Sequence, residues 1–127
     1  MFYDPALREP PLTRADYLDA QHITVVYEPR RALDLDRHLA AQGIQRRFAV
    51  MVPGFAGLPP FIRGSELLAT VPARLQSHLL RDLASVEPPV PCPPMPMYMV
   101  WHARHQVDAA HRWLRGELEA VVGDVVT

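Results

Sequence analysis

Apolar and polar positions change their period several times along the chain, and each change marks an element. Thr13-Arg14-Ala15-Asp16 reads as a helix start, with Thr13 as cap and Asp16 at the positive end of the helix dipole. The helix it opens runs to about Asp19. Residues 22–27, His-Ile-Thr-Val-Val-Tyr, form a β-branched run that predicts a buried strand, ended by Glu28-Pro29. Residues 33–42 predict a helix, with Leu35 and Leu39 one turn apart and Gly43 at the C′ position. In 47–52, Phe48, Val50 and Val52 alternate with Ala49 and Met51. Both sets are apolar, which predicts a strand covered on both faces. Pro53-Gly54 breaks it. A short helix is expected over 57–63, closed by Gly64, and then a third strand over 67–71. Pro72 suits a first helical position, and Leu75, Leu79 and Leu83 mark one stripe of a helix over 73–84.

Residues 86–96 carry Pro88, Pro89, Pro91, Pro93, Pro94 and Pro96, so neither a helix nor a central strand fits there. An extended connector does. Residues 97–103 resume as an expected strand with two apolar faces. Asp108 caps a last helix with Ala110, Trp113, Leu114, Leu118 and Val121 at helical spacing. The order is α-β-α-β-α-β-α, connector, β-α. That alternation predicts an α/β domain with a mostly parallel sheet, its final strand and helix set apart by the connector.

The 127 residues allow one domain with one core. With 49% hydrophobic residues, disorder is excluded as the general state. The net charge of −1 and pI near 6.6 give no sign of the basic face that a stand-alone nucleic-acid binder carries. Arg30-Arg31 and Arg46-Arg47 are only doublets, and solvated surface is their simpler reading. The single cysteine, Cys92, rules out an internal disulfide and suits a reducing, cytoplasmic setting. The first residues have no signal-peptide pattern, and no apolar run reaches membrane-spanning length.

Four stretches in order resemble the LysR-type transcriptional regulators, in the branch of the nodulation and naphthalene regulators. They are PLTRADYLDAQHITV (11–25), LDLDRHLAAQGIQRRFAVMVPGF (33–55), LPPFIRGSELLATVPARL (58–75) and MVWHARHQVDAAHRWLR (99–115). The resemblance implies an effector-binding domain with the periplasmic-binding-protein fold, in which two α/β lobes flank a small-molecule cleft. It implies that residues 1–94 form the second lobe and that 95–127 return to the first. It also implies that the helix-turn-helix and most of the first lobe lie outside this stretch, so that DNA is reached only through those helices. The implied ligand is a small organic or aromatic acid, and the implied assembly is a dimer or larger, with no cofactor and no membrane partner.

In an open parallel sheet, ligands sit beyond the carboxyl ends of the strands, where helix N-termini favour anions. That rule selects His22, Thr24, Pro53, Gly54 and Phe55 as candidate effector-binding residues. Backbone N–H groups near Gly54 and Gly57 would approach a carboxylate, and Phe55 would stack on an aromatic ring. The competing reading makes His22 and Thr24 satisfied core residues and Phe55 a packing residue. His102, His105 and His111 raise a metal site, but they do not share one helical face and have no supporting carboxylate or thiolate spacing. Cys92 has no local feature that would lower its pKa. Among enzyme signatures, no nucleophile elbow, P-loop or dinucleotide fingerprint occurs, and Ser65 and Ser77 lack motif context. A truncated regulator that pairs with its siblings is the alternative to a sensor. The Trp113-Leu114-Leu118 face would otherwise lie bare.

Overall fold

A computed structural model describes residues 1–28 and 32–126. The expected stop at Pro29 and the Arg30-Arg31 doublet lie outside the described residues. The chain forms two compact units, Met1–Met95 and Pro96–Thr127.

The first unit is a five-stranded sheet flanked by short helices. Its strands are β1 (Phe2–Tyr3), β2 (Gln21–Val25), β3 (Arg47–Val52), β4 (Leu68–Ala69) and β5 (Ala84–Ser85). The helices are α1 (Arg14–Asp19), α2 (Asp34–Ala40) and α3 (Leu58–Ile62). The sheet order is β3-β2-β4-β1-β5. β2 pairs in parallel with β3 and β4, whereas β1 runs antiparallel to β4 and β5. The parallel part is the predicted α/β core. The antiparallel part comes from β1, which has no sequence signal of its own because two residues are too few to show a period.

Two apolar clusters cover the two faces. One contains Phe2, Ile23, Val25, Val52, Leu58, Ile62, Ala69, Leu80 and Leu83. The other contains Met1, Tyr3, Tyr17, Leu39, Ile44, Leu68 and Val90. Neighbours in one strand, such as Leu68 and Ala69, fall in different clusters, as the pleat requires. β2 is buried along its length except at Gln21.

β3 is an edge strand, and the structure corrects its expected pattern. A register shift lies between His22 and Ile23, which pair with Phe48 and Val50. One extra residue, Ala49, therefore sits in β3, as in a β-bulge. Val50 packs on the first cluster, while Phe48 lies under the Arg46 guanidinium, 4.8 Å from its ring centre. Phe48 and Val50 thus do not share a face, and Met51 is exposed.

The helix ends follow the local chemistry. Thr13 and Asp16 form a reciprocal capping box at α1. Gly43 takes a φ of 71° past α2, a conformation that side-chain-bearing residues adopt at a cost. The helix expected over 73–84 is not formed. A 3-10 turn covers Ala73–Ser77, and the backbone leaves helical angles at His78. Leu80 and Leu83 are both buried, and the Gln76 amide donates to the Leu83 carbonyl at 3.0 Å. Seating those leucines in the core and pairing β5 with β1 override the three-leucine stripe.

The second unit holds α4 (Ala109–Val126) and a preceding 3-10 turn, Ala103–His105. Asp108 starts α4 as expected: its carboxylate accepts from the His111 N–H at 2.7 Å. The strand expected over 97–103 is not formed. Within this unit there is no described strand for it to pair with, and an unpaired strand is not stable in water. Arg115, buried on α4, holds the turn instead. It donates to the carbonyls of His105 and Gln106 and lies 4.4 Å from the Trp101 ring centre.

Candidate functional site

The carboxyl ends of β2, β3 and β4 lie side by side, because the three strands are parallel neighbours. Of the five sequence-selected residues, Pro53, Gly54 and Phe55 follow the carboxyl end of β3 and Thr24 lies one residue before that of β2, whereas His22 stands at the amino end of β2, away from this edge. His22 is fully buried, and its Nε2–H donates to the Tyr17 carbonyl at 2.7 Å. The Tyr17 ring meets the imidazole edge-on at 4.6 Å. Thr24 is buried on the same strand. Pro53 is exposed, and Gly54 and Phe55 are half-buried. Phe55 packs on the first apolar cluster while its ring meets Tyr27 edge-on, 6.2 Å between centres. Tyr27 is 60% exposed and so presents an aromatic face to solvent beside Phe55.

The expected anion cradle at the start of α3 is poorly equipped. The Gly57 N–H is already donated to the Gly54 carbonyl at 3.1 Å. Pro59 and Pro60, in the first turn of α3, have no N–H to give. Gly57 fits a different constraint: a Cβ there would lie a tight 3.2 Å from the Val52 Cβ.

A groove of about 430 Å³ opens past the end of β4. Its lining includes Met1, Phe2, Thr70, Val71, Ser85, Val86, Glu87 and Cys92. Sequence reasoning did not select Thr70 or Tyr17, although both fall within quoted motifs. The Tyr17 hydroxyl and Thr70 Oγ1 lie 2.8 Å apart, joining α1 to the end of β4. A larger hollow of about 630 Å³ lies at the opposite, amino end, around Arg8, Glu9, Asp16, Asp19, Gln21 and Glu66. It is carboxylate-rich and sits at the end of the sheet where parallel α/β folds do not place ligands.

Burial governs the titratable groups. Desolvation pushes His22 down to about 4, with the Arg46 charge adding to it and the bond to Tyr17 opposing it. His22 is therefore neutral at pH 7, its proton on Nε2 and its Nδ1 without a hydrogen-bond partner. Desolvation also raises the Tyr17 phenol. Arg46 supplies the buried cation, bound by Asp36 through Nε and Nη2 at 2.8 Å each. Desolvation raises the Cys92 thiol, so it is not tuned as a nucleophile. Among the described residues no cluster of three or more His, Cys, Asp or Glu is arranged to hold a metal. The His105 and His111 rings stack 4.9 Å apart.

The model for the LysR substrate binding domain matches residues 4–123. The chain belongs to that family. This LysR substrate-binding domain is 35% identical over 108 residues to Nodulation protein D 2 of Rhizobium tropici, covering 83% of this chain and 34% of that protein. It is 33% identical over 113 residues to the HTH-type transcriptional activator NahR of Pseudomonas putida, covering 87% and 37%. The chain thus spans about a third of the length of these relatives. Among solved structures it is similar to the regulatory domain of MexT, a transcriptional activator in Pseudomonas aeruginosa. The TM-score is 0.72 at 27% identity, over 87% of this chain and 57% of that one. A probable transcriptional regulator of the same organism gives 0.72 at 25% identity, over 94% and 41%. These neighbours share the mixed α/β fold of LysR regulatory domains, and the relatives named are transcriptional regulators rather than enzymes. Among the described residues no helix is long and apolar enough to cross a membrane.

Proposed function

We propose that this domain senses a small aromatic acid or phenolic effector and passes the signal to transcription through DNA-binding helices outside the chain, in the cytoplasm. The observation that carries this reading is the groove past the carboxyl end of β4 in a LysR substrate-binding domain. None of the five selected residues lines that groove; in this reading Pro53, Gly54 and Phe55 meet the effector from beyond β3, and Thr24 and His22 are buried within β2. Residues 1–94 act as the second lobe of the sensor, and 95–127 as the return to the first.

Thermal unfolding against a panel of small aromatic and aliphatic acids and phenols tests this. A ligand at about a hundred times its dissociation constant adds roughly 2.7 kcal/mol. Phe55→Ala should weaken the effective class several-fold by removing the ring. Flat curves across the panel would overturn the sensor reading, and unchanged affinity in Phe55→Ala would remove Phe55 from the site.

A second reading, an interaction module that pairs with other copies, is favoured by one observation. Trp113, Leu114, Leu118 and Val121 are exposed on α4, with Trp113 66% open. Contiguous apolar surface of this kind marks an interface. Light scattering should give at least a dimer. A monomer whose Trp113 fluorescence resists a soluble quencher would count against it.

A further inference from the structure

The sheet order dictates what an effector must cross. β2 lies between β3 and β4, with Phe55 just beyond β3 and the groove past β4. Neighbouring strands stand about 4.8 Å apart, so a ligand that meets Phe55 and enters the groove spans roughly 10 Å. It passes over the carboxyl end of β2 on the way. There the Val26 N–H still donates to the Val52 carbonyl, at 2.9 Å, which carries the β2–β3 ladder one residue further. Tyr27 comes next, with 60% of its surface exposed. Its ring meets Phe55 edge-on, 6.2 Å between centres and 80° between planes. Phe55 packs in turn on the first apolar cluster, so the Tyr27 ring has a fixed neighbour on one side while the rest of it stays open. A Cβ placed on Gly54 would meet no atom within 4 Å, so the backbone before Phe55 leaves room for a ligand.

We propose that Tyr27 is the specificity-determining residue of the sensor, a stacking platform at the end of β2 that selects flat aromatic effectors over saturated ones. This deepens the sensor reading and rests on it. A planar ring gains from offset or edge-on contact with another ring beyond the area it buries, whereas a puckered saturated ring gains the area alone. The apolar lining of the groove at Phe2, Val71 and Val86 holds both kinds of ring, so it adds affinity without that choice. Charge does not enter the choice either. Glu28, exposed beside Tyr27, and the Met1 amino group and Glu87 on the groove act alike on two acids that differ only in their ring.

A matched pair of acids, titrated into the full chain and followed by chemical shift, tests this. The probes trans-cinnamate and trans-3-cyclohexylacrylate differ only in the ring, and both are long enough to cross β2. The wild type should prefer cinnamate by about fivefold, the usual effect of one ring–ring contact. Tyr27→Phe should keep the preference, and Tyr27→Leu should abolish it, chiefly by weakening cinnamate. An unchanged urea midpoint for Tyr27→Leu, expected at so exposed a position, shows that the loss does not come from unfolding. In the wild type, nuclear Overhauser contacts should join the cinnamate ring protons to the Tyr27 ring, and their absence would overturn the platform whatever the variants do. A preference that survives Tyr27→Leu, or equal weakening of both acids in that variant, would show that Tyr27 adds only bulk and would overturn it too. Equal binding of the two acids by the wild type, or binding of neither while other acids or phenols stabilise the domain, would overturn the ring selection and leave the sensor reading standing. Flat responses to every acid and phenol would sink both.

Discussion

Asp36→Ala should destabilise the domain by about 3–5 kcal/mol, the range for removing one partner of a buried ion pair. The Arg46 side chain has no exposure, Asp36 has 17%, and the two are joined by two bonds of 2.8 Å. Without Asp36 the guanidinium would keep only the Phe48 ring beneath it and the Tyr17 phenol beside it. Nη1 already lacks a well-formed bond, so the loss would leave every donor nitrogen of the group poorly satisfied in a low-dielectric site. Surface pairs in the same domain, such as Arg63 with Asp82, should by contrast matter by well under 1 kcal/mol. Urea denaturation of the two single variants Asp36→Ala and Asp82→Ala separates the cases. Adding Arg46→Met to Asp36→Ala should recover much of the loss, because a buried pair is often replaced by apolar side chains at little cost. A loss below 1 kcal/mol for Asp36→Ala would show that the guanidinium can reach water, contrary to its burial.

The second large effect is acid destabilisation through His22. In the unfolded chain a histidine takes its proton near pH 6.5. In the folded domain burial holds His22 down to about 4. Its contribution is therefore complete above about pH 6.5 and declines as the pH falls toward 4, because the unfolded state takes up the proton first. The drop across that window is about 3 kcal/mol. Urea denaturation at pH 7 and pH 4.5, on wild type and His22→Leu, isolates it. The variant should start less stable at pH 7, since the Tyr17 carbonyl loses its donor, but should lose much less than wild type on acidification. Parallel slopes for the two proteins would show that His22 titrates equally in both states.

These two effects meet at one face of β2, and their legibility differs. His22 stood out in the sequence as the polar residue opening a β-branched run, and its position at a strand start was correctly expected. Its partner was not, because the carbonyl of Tyr17 carries no side-chain signature. Arg46 read as half of a surface doublet. In the structure it turns inward while Arg47 remains exposed, bonded to the Asp19 carbonyl. A doublet on an extended segment sends its two side chains to opposite faces, so one of them meets the core whenever that face is covered. The covering comes from α2, through Asp36, ten residues earlier in the chain.

The sequence by itself determined the features that arise within a few residues of one another. Thr13 and Asp16 close a capping box, Gly43 turns the chain after α2, Asp108 starts α4, β2 appears at the β-branched run and β3 at the apolar run over 47–52. The motif order likewise carried the family. Tertiary structure alone decided the features that depend on what lies across from a residue. The stripe of Leu75, Leu79 and Leu83 became a 3-10 turn and a short strand because Leu80 and Leu83 had core positions to fill. Residues 97–103 stayed out of a strand because the second unit has no described strand beside them. Thr70, on the groove, meets the Tyr17 hydroxyl across 53 residues of sequence. Periodicity reports which face of an element is apolar, whereas the identity of the partner on that face depends on contacts between distant parts of the chain, and these exist only once the sheet has assembled.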